Sequence, residues 1–235
     1  MKLMIPFFSA PIYFEENILH SVVIENQKFF REVVADIRYQ IDKYEGDIVF
    51  SINDIPQDMA GNVEVISEFL DLDINSKNLL SKVQNIMEKT ALDEQHYMET
   101  QEMLSSIEHF VQKLSFSCPC DVECGKLTLT NLLKMVGLHF SMVYGSPIEK
   151  LIDYMSLVRD LEKEKLFVFI NMRSWFTEEE LSLFVNTVLV HKFHILLIDN
   201  CEYPKLEQEK RIVIDRDLCT ATAFTFCEKN DRIDT

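Results

Sequence analysis

Residues 166–199 of this chain have the pattern of a strand, a capped helix and a second strand. The first strand is the apolar run Leu166–Ile170, and the second covers residues 194–198, with Asp199 directly after it. Unbroken apolar runs of this length are typical of strands that helices cover on both faces. Thr177 opens the intervening helix, and Glu180 three positions later is placed to complete a capping box. The pattern therefore predicts a right-handed crossover unit in a parallel sheet.

The chain lacks the glycine-rich loop that a nucleotide enzyme on such a scaffold needs. A phosphate cradle requires small residues, because consecutive backbone N–H groups must point at one anion. The five glycines are Gly46, Gly61, Gly125, Gly137 and Gly145. No two of them are spaced as G-x-x-x-x-G-K-[ST] or G-x-G-x-x-G, so the sequence argues against a phosphate loop.

Ligands of α/β sheets usually bind beyond the carboxyl ends of the strands. Asn171, Met172, Arg173, Asp199 and Asn200 follow the two predicted strands and would lie there. Magnesium on Asp199 and Asn200 is one interpretation. Without a phosphate loop beside them, hydrogen bonding at the strand ends is the favoured one.

Composition narrows the class of protein. With 235 residues, of which 47% are hydrophobic and 26% charged, the chain has room for one large domain or two small ones. No apolar stretch reaches the roughly 20 residues of a membrane span, and the N-terminus lacks a signal-peptide pattern. We therefore expect a cytoplasmic protein with reduced thiols. The six cysteines are Cys118, Cys120, Cys124, Cys201, Cys219 and Cys227.

The net charge of -16 argues against non-specific attraction to nucleic acid or anionic lipid. An acidic protein binds DNA only if its basic residues are segregated onto one surface, for example one that an oligomer gathers around the ligand.

Periodicity divides the chain into an α/β head and an inserted helical leg. Residues 19–24 and 48–52 read as strands on either side of a helix over residues 27–44. From residue 62 to residue 136 the pattern predicts helices only, at 65–69, after Asn75 or Ser76, at 92–114 and at 129–136. Residues 138–141 are expected to return to the sheet, and residues 211–214 and 223–226 to add strands. The predicted domains are residues 1–60 with 138–235 (head) and residues 61–137 (leg).

Several stretches in matching order resemble the Csn-two family, the accessory spacer-acquisition proteins of type II-A CRISPR systems, in its short form. They are residues 23–26 leading into Phe29 and Phe30, residues 72–77, 132–137, 166–171 with 177–181, and 213–217. Each stretch alone is unspecific, but their order and spacing span nearly the whole chain.

This resemblance implies a fold and a function. The fold is α/β, with a P-loop-NTPase-like head that lacks the phosphate loop and an inserted α-helical leg. The implied function is non-catalytic: a ring-shaped homotetramer that binds double-stranded DNA ends in its central hole, without sequence preference, during CRISPR adaptation. The implied partners are the integrase proteins and the effector nuclease, and the implied cofactor is calcium.

The resemblance also directs attention to particular residues. The family's acidic calcium segment aligns with Asp121 and Glu123, but Gly125 and Lys126 stand where a further acidic pair is expected, so the carboxylate set is incomplete. For the DNA surface we expect leg lysines, because a flexible point charge suits phosphate contacts that read no bases. The expected lysines are Lys77, Lys82, Lys126 and Lys134. Solvated helix-face lysines are the alternative for each of them taken singly.

Other functions remain open at this stage. Cys118, Cys120 and Cys124 with a histidine would make a zinc site of unusual spacing, and reduced cysteines packed near a turn are favoured instead. A nucleotide hydrolase or kinase with an unorthodox loop is the enzyme alternative. A scaffold that binds only other proteins is the third, since the acidic charge suits it.

Overall fold

The structure is a computed structural model that describes residues 1–162 and 164–223. Two compact units are present. Among the described residues, the first, the sheet unit, comprises residues 1–72, 144–159 and 164–223; the second, the helical unit, comprises residues 73–143 and 160–162. The predicted mixed α/β fold with a parallel sheet is confirmed, whereas the domain boundaries at residues 61 and 137 stay a prediction.

The described residues contain ten strands in two sheets. In chain order they are β1 (Lys2–Met4), β2 (Ile12–Tyr13), β3 (Leu19–Ile24), β4 (Val49–Ile52), β5 (Ile55–Pro56), β6 (Val63–Ile66), β7 (Leu166–Ile170), β8 (His194–Asp199), β9 (Glu209–Ile214) and β10 (Thr220–Ala223). The small antiparallel sheet has the order β2-β1-β4-β5, and the large sheet has the order β10-β9-β3-β8-β7-β6. In the large sheet β9, β3, β8, β7 and β6 run parallel, and β10 closes one edge antiparallel to β9.

The described residues also form six α-helices. They are α1 (Gln27–Ile41), α2 (Lys77–Ala91), α3 (Tyr97–Ser115), α4 (Leu129–Val136), α5 (Pro147–Leu161) and α6 (Glu178–His191), and a short 3-10 helix covers Met172–Ser174. In this part of the chain we find no helix with the length and apolarity of a transmembrane span.

The two faces of the large sheet carry different cores. Val22, Ile24 and Ile198 belong to a buried cluster that also contains Val33 of α1 and Phe50 of the small sheet. On the opposite face, Phe169 meets Phe184 of α6 edge to face, with ring centroids 5.4 Å apart. Burial on both faces explains why β7 and β8 are apolar without alternation.

Helix ends follow the sequence signals in several places. Thr177 and Glu180 form the predicted capping box, in which the Glu180 amide donates to Thr177 Oγ1 at 3.3 Å and the Thr177 amide donates to Glu180 Oε2 at 2.9 Å. Gly137, with φ of 71°, ends α4 in the left-handed conformation that glycine tolerates best.

Two predicted elements are wrong. The short helix expected around Val65 and Phe69 is β6, which pairs in parallel with β7. Four apolar-rich residues fit either structure, and the neighbouring strand decides between them. Residues 138–141 form no strand, and Phe140 instead donates its amide to Asn75 Oδ1 at 2.6 Å. The strand predicted for residues 223–226 extends beyond the described residues, and Cys227 lies outside them.

Within the helical unit, few side chains are fully buried. Ile74, Leu79 and Leu133 are its buried apolar side chains. By contrast Phe110, Phe116 and Met135 are 61%, 81% and 80% exposed. Exposed apolar side chains that form a contiguous patch mark an interaction surface.

Candidate functional site

The large sheet has a topological switch point between β3 and β8. From β3 the chain proceeds to β6 on one side of the sheet, and from β8 it crosses to β9 on the other side. Connections that diverge in this way open a crevice at the carboxyl ends of the two strands. A cavity of about 500 Å³ lies there. Its lining residues are Glu25, Asn26, Gln27, Asn200, Cys201 and Arg216.

The strand-to-helix connection at this crevice is only two residues long. Glu25 and Asn26 join β3 to α1, and neither is glycine. Asn26 Oδ1 accepts a hydrogen bond from the Phe29 amide at 3.0 Å, and Asn26 Nδ2 donates to the Arg216 carbonyl at 2.9 Å. The start of α1 is thus capped by the protein itself.

Strand-end asparagines join β7 to the segment after β8. Asn171 adopts φ of 53°, and its amide donates to the Ile198 carbonyl at 2.8 Å. Asn171 Oδ1 accepts from the Asn200 amide at 3.0 Å. Of the two residues for which strand-end hydrogen bonding was expected, Asp199 and Asn200, the second forms such a bond through its amide.

Beneath the crevice, four charged side chains are buried together on the α6 face of the sheet. Arg173 and Arg211 are 5% and 3% exposed, while Asp199 and Glu209 are 0% and 6% exposed. Their formal charges cancel. Buried ions are tolerated only when they are paired in this way, because desolvation of an isolated charge is very costly.

Glu209 is the best-satisfied member of this cluster. Its carboxylate accepts from Arg173 Nη2 at 2.7 Å, from Arg211 Nε at 2.7 Å, from the Leu206 amide at 2.7 Å and from the Ser21 hydroxyl. Burial acts to raise the pKa of Glu209, but the hydrogen bonds from Arg211 and Arg173 outweigh it and lower the pKa to about 2.

Asp199 is the poorly satisfied member. Arg173 Nε lies 3.2 Å from Asp199 Oδ2, close enough for ionic attraction but not aligned for a hydrogen bond, and neither carboxylate oxygen has a hydrogen-bond partner among the described residues. Burial raises the pKa of Asp199 to about 6 against the attraction of Arg173. Asp199 is enclosed beside Arg173, so the structure does not present it as a magnesium ligand.

Arg173 and Arg211 also form hydrogen bonds to the irregular segment that follows β8. Arg211 Nη1 donates to the Tyr203 carbonyl at 2.7 Å, and Arg173 Nη1 donates to the Pro204 carbonyl at 3.4 Å. The buried cluster therefore supports one wall of the crevice. Sequence reasoning had placed Arg173 and Asp199 near this edge but missed Glu209 and Arg211, which no local motif marks.

The four lysines expected at a DNA surface all lie in the helical unit. Lys77 begins α2, Lys134 lies in the last turn of α4, and Lys126 lies in the irregular segment before α4; all three are exposed. Lys82 is partly buried, and its Nζ lies 4.0 Å from Glu162 Oε1.

Helix geometry separates two of these lysines. At about 100° per residue, Lys77 and Lys82 point about 140° apart around α2 and do not share a face. Lys89, seven residues after Lys82 and exposed, lies within about 20° of it. Lys89 was not among the lysines expected from the sequence, although its seven-residue spacing from Lys82 is a local signal.

A groove of about 1130 Å³ runs along the helical unit between α3, α4 and the segment that joins them. Val111, Phe116, Val122 and Met135 supply apolar walls, and Lys126 lines it as well. The exposed side chains of Phe116 and Met135 contribute to the apolar part of this groove.

The residues considered for metals lie on the same segment. Asp121 and Glu123 are exposed. The thiols of Cys118, Cys120 and Cys124 are free and follow a turn at residues 116–117, as expected, but they are exposed, so their expected packing is wrong. Across residues 1–162 and 164–223, no three His, Cys, Asp or Glu side chains come together in a way that would hold a metal ion.

Comparison with known proteins shows the family. The family model described as CRISPR-associated protein (Cas_Csn2) matches residues 38–218, which is more than half of the chain. This chain belongs to the Csn2 family. The match includes the end of α1, the whole helical unit and strands β4 to β9, so the expected resemblance to the Csn-two (Csn2) family is confirmed.

Individual relatives carry the same name. CRISPR-associated protein Csn2 of Enterococcus faecalis is 23% identical over 160 residues, which covers 67% of this chain and 73% of that protein. CRISPR-associated protein Csn2 of Streptococcus agalactiae is 22% identical over 165 residues, which covers 67% of this chain and 71% of that protein. A CRISPR-associated role follows from membership of the family.

Among solved structures, a putative ABC transporter (ATP-binding protein) from Pyrococcus furiosus has a TM-score of 0.37 and 12% identity, with 86% of this chain and 88% of that chain covered. This similarity is too low to support an argument about fold or function.

Proposed function

We propose that this Csn2 family chain is a non-catalytic, double-stranded DNA-binding protein. In this proposal it assembles into a homotetrameric ring around DNA ends, contacts phosphates through lysines of the helical unit, and supports spacer acquisition beside the integrase proteins and the effector nuclease. The observation that carries the DNA-binding part is the set of lysines in the helical unit, which contains no arginine: Lys77, Lys126 and Lys134 are exposed.

The head supports the non-catalytic part of the proposal. A P-loop-like head would carry its phosphate cradle between β3 and α1, where only Glu25 and Asn26 stand. Asn26 caps α1 itself, and the charged residues beneath the crevice bind one another. We therefore infer a P-loop-like scaffold whose phosphate loop has been lost, with the helical unit as its inserted leg.

Self-association is supported by the apolar surface of the helical unit. Phe110, Phe116 and Met135 are more than half exposed, and a second copy of the chain would remove them from water. At about 25 cal/mol per Å² of apolar surface, even a few such side chains contribute several kcal/mol to association. A ring also gathers lysines from four acidic subunits around one ligand.

Calcium remains part of the proposal only in a restricted form. Asp121 and Glu123 supply two carboxylates, whereas calcium takes six to eight oxygens. Further oxygens would have to come from backbone carbonyls, water or a second copy. We expect the oligomeric mass measured by light scattering to fall on chelation with EGTA; an unchanged mass would remove calcium from the proposal.

The DNA-binding proposal is tested by charge reversal. We expect the triple variant Lys77→Glu, Lys126→Glu, Lys134→Glu to lose at least about tenfold in affinity for a linear duplex at low salt, since each lost phosphate contact removes a counterion-release contribution. Fluorescence anisotropy of an end-labelled duplex measures this, and circular dichroism controls for folding. The matched control replaces three lysines of the sheet unit, Lys28, Lys43 and Lys205, by glutamate.

Two results would contradict the proposal. Equal losses in the triple variant and its control would mean that only net charge matters, and binding that is insensitive to salt would exclude a phosphate mechanism. Nucleotide-dependent thermal stabilisation with phosphate release would favour the enzyme alternative, and failure of the tetramer to shift duplex in a gel would favour the protein-only scaffold.

A further inference from the structure

A carboxylate is bound to one face of α2 in the manner of a phosphate oxygen. Glu162 Oε1 accepts a hydrogen bond from Asn78 Nδ2 at 3.1 Å and lies 4.0 Å from Lys82 Nζ. The Glu162 side chain is only 9% exposed, whereas that of Lys82 is 43% exposed. One anionic oxygen thus meets an amide donor and an ammonium group that are four residues apart on the same helix.

The same face of α2 continues as a stripe of donors. Asn78, Lys82, Asn85 and Lys89 recur at spacings of four, three and four residues, which places them within about 60° of one another and along about 16 Å of helix. Asn85 and Lys89 are exposed. Glu88, the only acidic residue of α2, points about 90° away from the centre of this stripe.

Amide and ammonium donors are the groups that contact phosphate oxygens without reading bases. On this stripe the end near Asn78 and Lys82 is occupied by Glu162, and the end near Lys89 is exposed. A carboxylate held there neutralises Lys82 and lowers the positive potential of the face.

We propose that the stripe Asn78, Lys82, Asn85 and Lys89 is a phosphate-contacting surface of this protein, and that Glu162 occupies its first phosphate position until nucleic acid displaces it. This inference rests on the proposed DNA-binding function and adds three residues, Asn78, Asn85 and Lys89, to the surface. It also assigns Glu162 a restraining role: DNA binding has to break the contacts of Glu162 with Asn78 and Lys82 before Lys82 neutralises a phosphate.

The test is the isosteric variant Glu162→Gln, measured by anisotropy of a labelled linear duplex over a series of salt concentrations. We expect tighter binding by about 3- to 10-fold at 50 mM salt, and a plot of log affinity against log salt steeper by about 0.9 for each subunit that contacts the duplex, as for one additional neutralised phosphate per subunit. The matched control is Glu15→Gln, an exposed residue of the sheet unit that changes net charge by the same amount.

Two further variants separate the role of the stripe from a general charge effect. In Glu162→Gln combined with Lys82→Gln, the gain should disappear, because the lysine that Glu162 neutralises is gone. Lys89→Gln, which alters the exposed end, should weaken wild-type binding several-fold and reduce the salt slope by about 0.9 for each subunit that contacts the duplex. Lys89→Gln also provides an answer should Glu162→Gln fail to fold.

The outcomes distinguish this inference from the function on which it rests. If the wild-type tetramer binds duplex but Glu162→Gln behaves like Glu15→Gln or binds more weakly with its fold intact, the inference is wrong and the proposed function stands. If neither wild type nor Glu162→Gln binds duplex at any salt concentration, both are wrong. Weak wild-type binding that Glu162→Gln strengthens supports both.

Discussion

Replacing Asp199 by asparagine should stabilise the protein at neutral and alkaline pH, although it removes one member of a buried charge cluster. Asp199 is fully buried, neither of its oxygens receives a hydrogen bond from the described residues, and burial raises its pKa from 3.8 to about 6. The attraction of Arg173 is already included in that shift. The folded state therefore favours a neutral side chain at this position.

The size of the expected stabilisation follows from the pKa shift of Asp199. A change of about 2 pKa units corresponds to about 3 kcal/mol. Asparagine has the same shape and no charge, so above pH 6 we expect a gain of about 1 to 3 kcal/mol, less than the full amount because its NH2 group needs a new acceptor. Arg173 is not left unpaired, because it retains Glu209 at 2.7 Å and the Pro204 carbonyl at 3.4 Å.

The direction of the pKa shift determines how the stability contribution of Asp199 changes with pH. Because the folded pKa of Asp199 lies above the unfolded one, the folded state binds more protons between pH 3.8 and about 6. The contribution of wild-type Asp199 to stability therefore falls as pH rises through that window and stays low above it. The difference between Asp199→Asn and wild type should be near zero at pH 4 and reach its plateau above pH 6.

Denaturant unfolding followed by fluorescence measures this difference. Trp175 is the only tryptophan and follows the 3-10 helix that carries Arg173, so its emission reports on this region of the sheet unit. Circular dichroism in parallel tests whether the transition is two-state. For a chain of this size, thermal midpoints should rise by about 2 to 8 °C at pH 8.

A clear destabilisation of Asp199→Asn at pH 8, by more than about 1 kcal/mol, would refute the reasoning. It would mean that the ion pair of Asp199 with Arg173 outweighs the cost of burying the carboxylate, as happens when the loss of one partner leaves a buried charge uncompensated. A gain that is equally large at pH 4 and pH 8 would show that it arises from packing and not from charge.

Three further outcomes are expected. Glu209→Gln should lower the free energy of unfolding by about 3 to 5 kcal/mol at pH 7 in denaturant unfolding, since it leaves two buried guanidinium groups short of negative charge. The contribution of wild-type Glu209 to stability is present above pH 4.5 and is lost as pH falls toward 2. A variant as stable as wild type at pH 7 would contradict the central place of Glu209 in the cluster. Burial, with help from Lys210 and His194, lowers the pKa of His20 to about 4, so the stability of the wild type should fall as pH drops from 6.5 to 4. His20→Phe should reduce this loss of stability by about 2 kcal/mol at pH 5 in acid titrations. Identical titration curves for the two proteins would exclude His20 as the source. Thr177→Ala should lower the thermal midpoint by an amount equivalent to about 1 kcal/mol because it removes the cap of α6. Thr177→Ser should restore most of the lost stability. An unchanged midpoint in Thr177→Ala would mean that the cap is redundant.

Much of the sheet could be predicted from local patterns. β7 is apolar over all five residues and β8 over residues 195–198, and helices cover both faces of the sheet, so burial favours apolar residues along most of these strands. Thr177 with Glu180, and Gly137 after α4, marked helix ends because capping depends on side chains within a few residues of the end.

The site residues show the limit of this reasoning. Glu209 and Arg211 begin a strand in sequence, and nothing nearby distinguishes them from an ordinary exposed pair. They are buried because β9 lies beside β3 and the segment after β8 folds over them, which brings Ser21 and Arg173 within hydrogen-bonding distance of Glu209. Likewise, Glu162 is distant in sequence from Asn78 and Lys82, so its contact with α2 is absent from any local pattern.

The sequence alone determined which segments are apolar, where helices are capped and that no glycine-rich phosphate loop exists, because those properties depend on residue identity and short spacings. Tertiary structure decided that residues 63–66 form a strand, since only pairing with β7 selects strand over helix for so short a run. It also decided which charges are buried together and which lysines share a face. Those outcomes depend on distances between segments far apart in the chain, and they determine where an acidic protein presents positive charge.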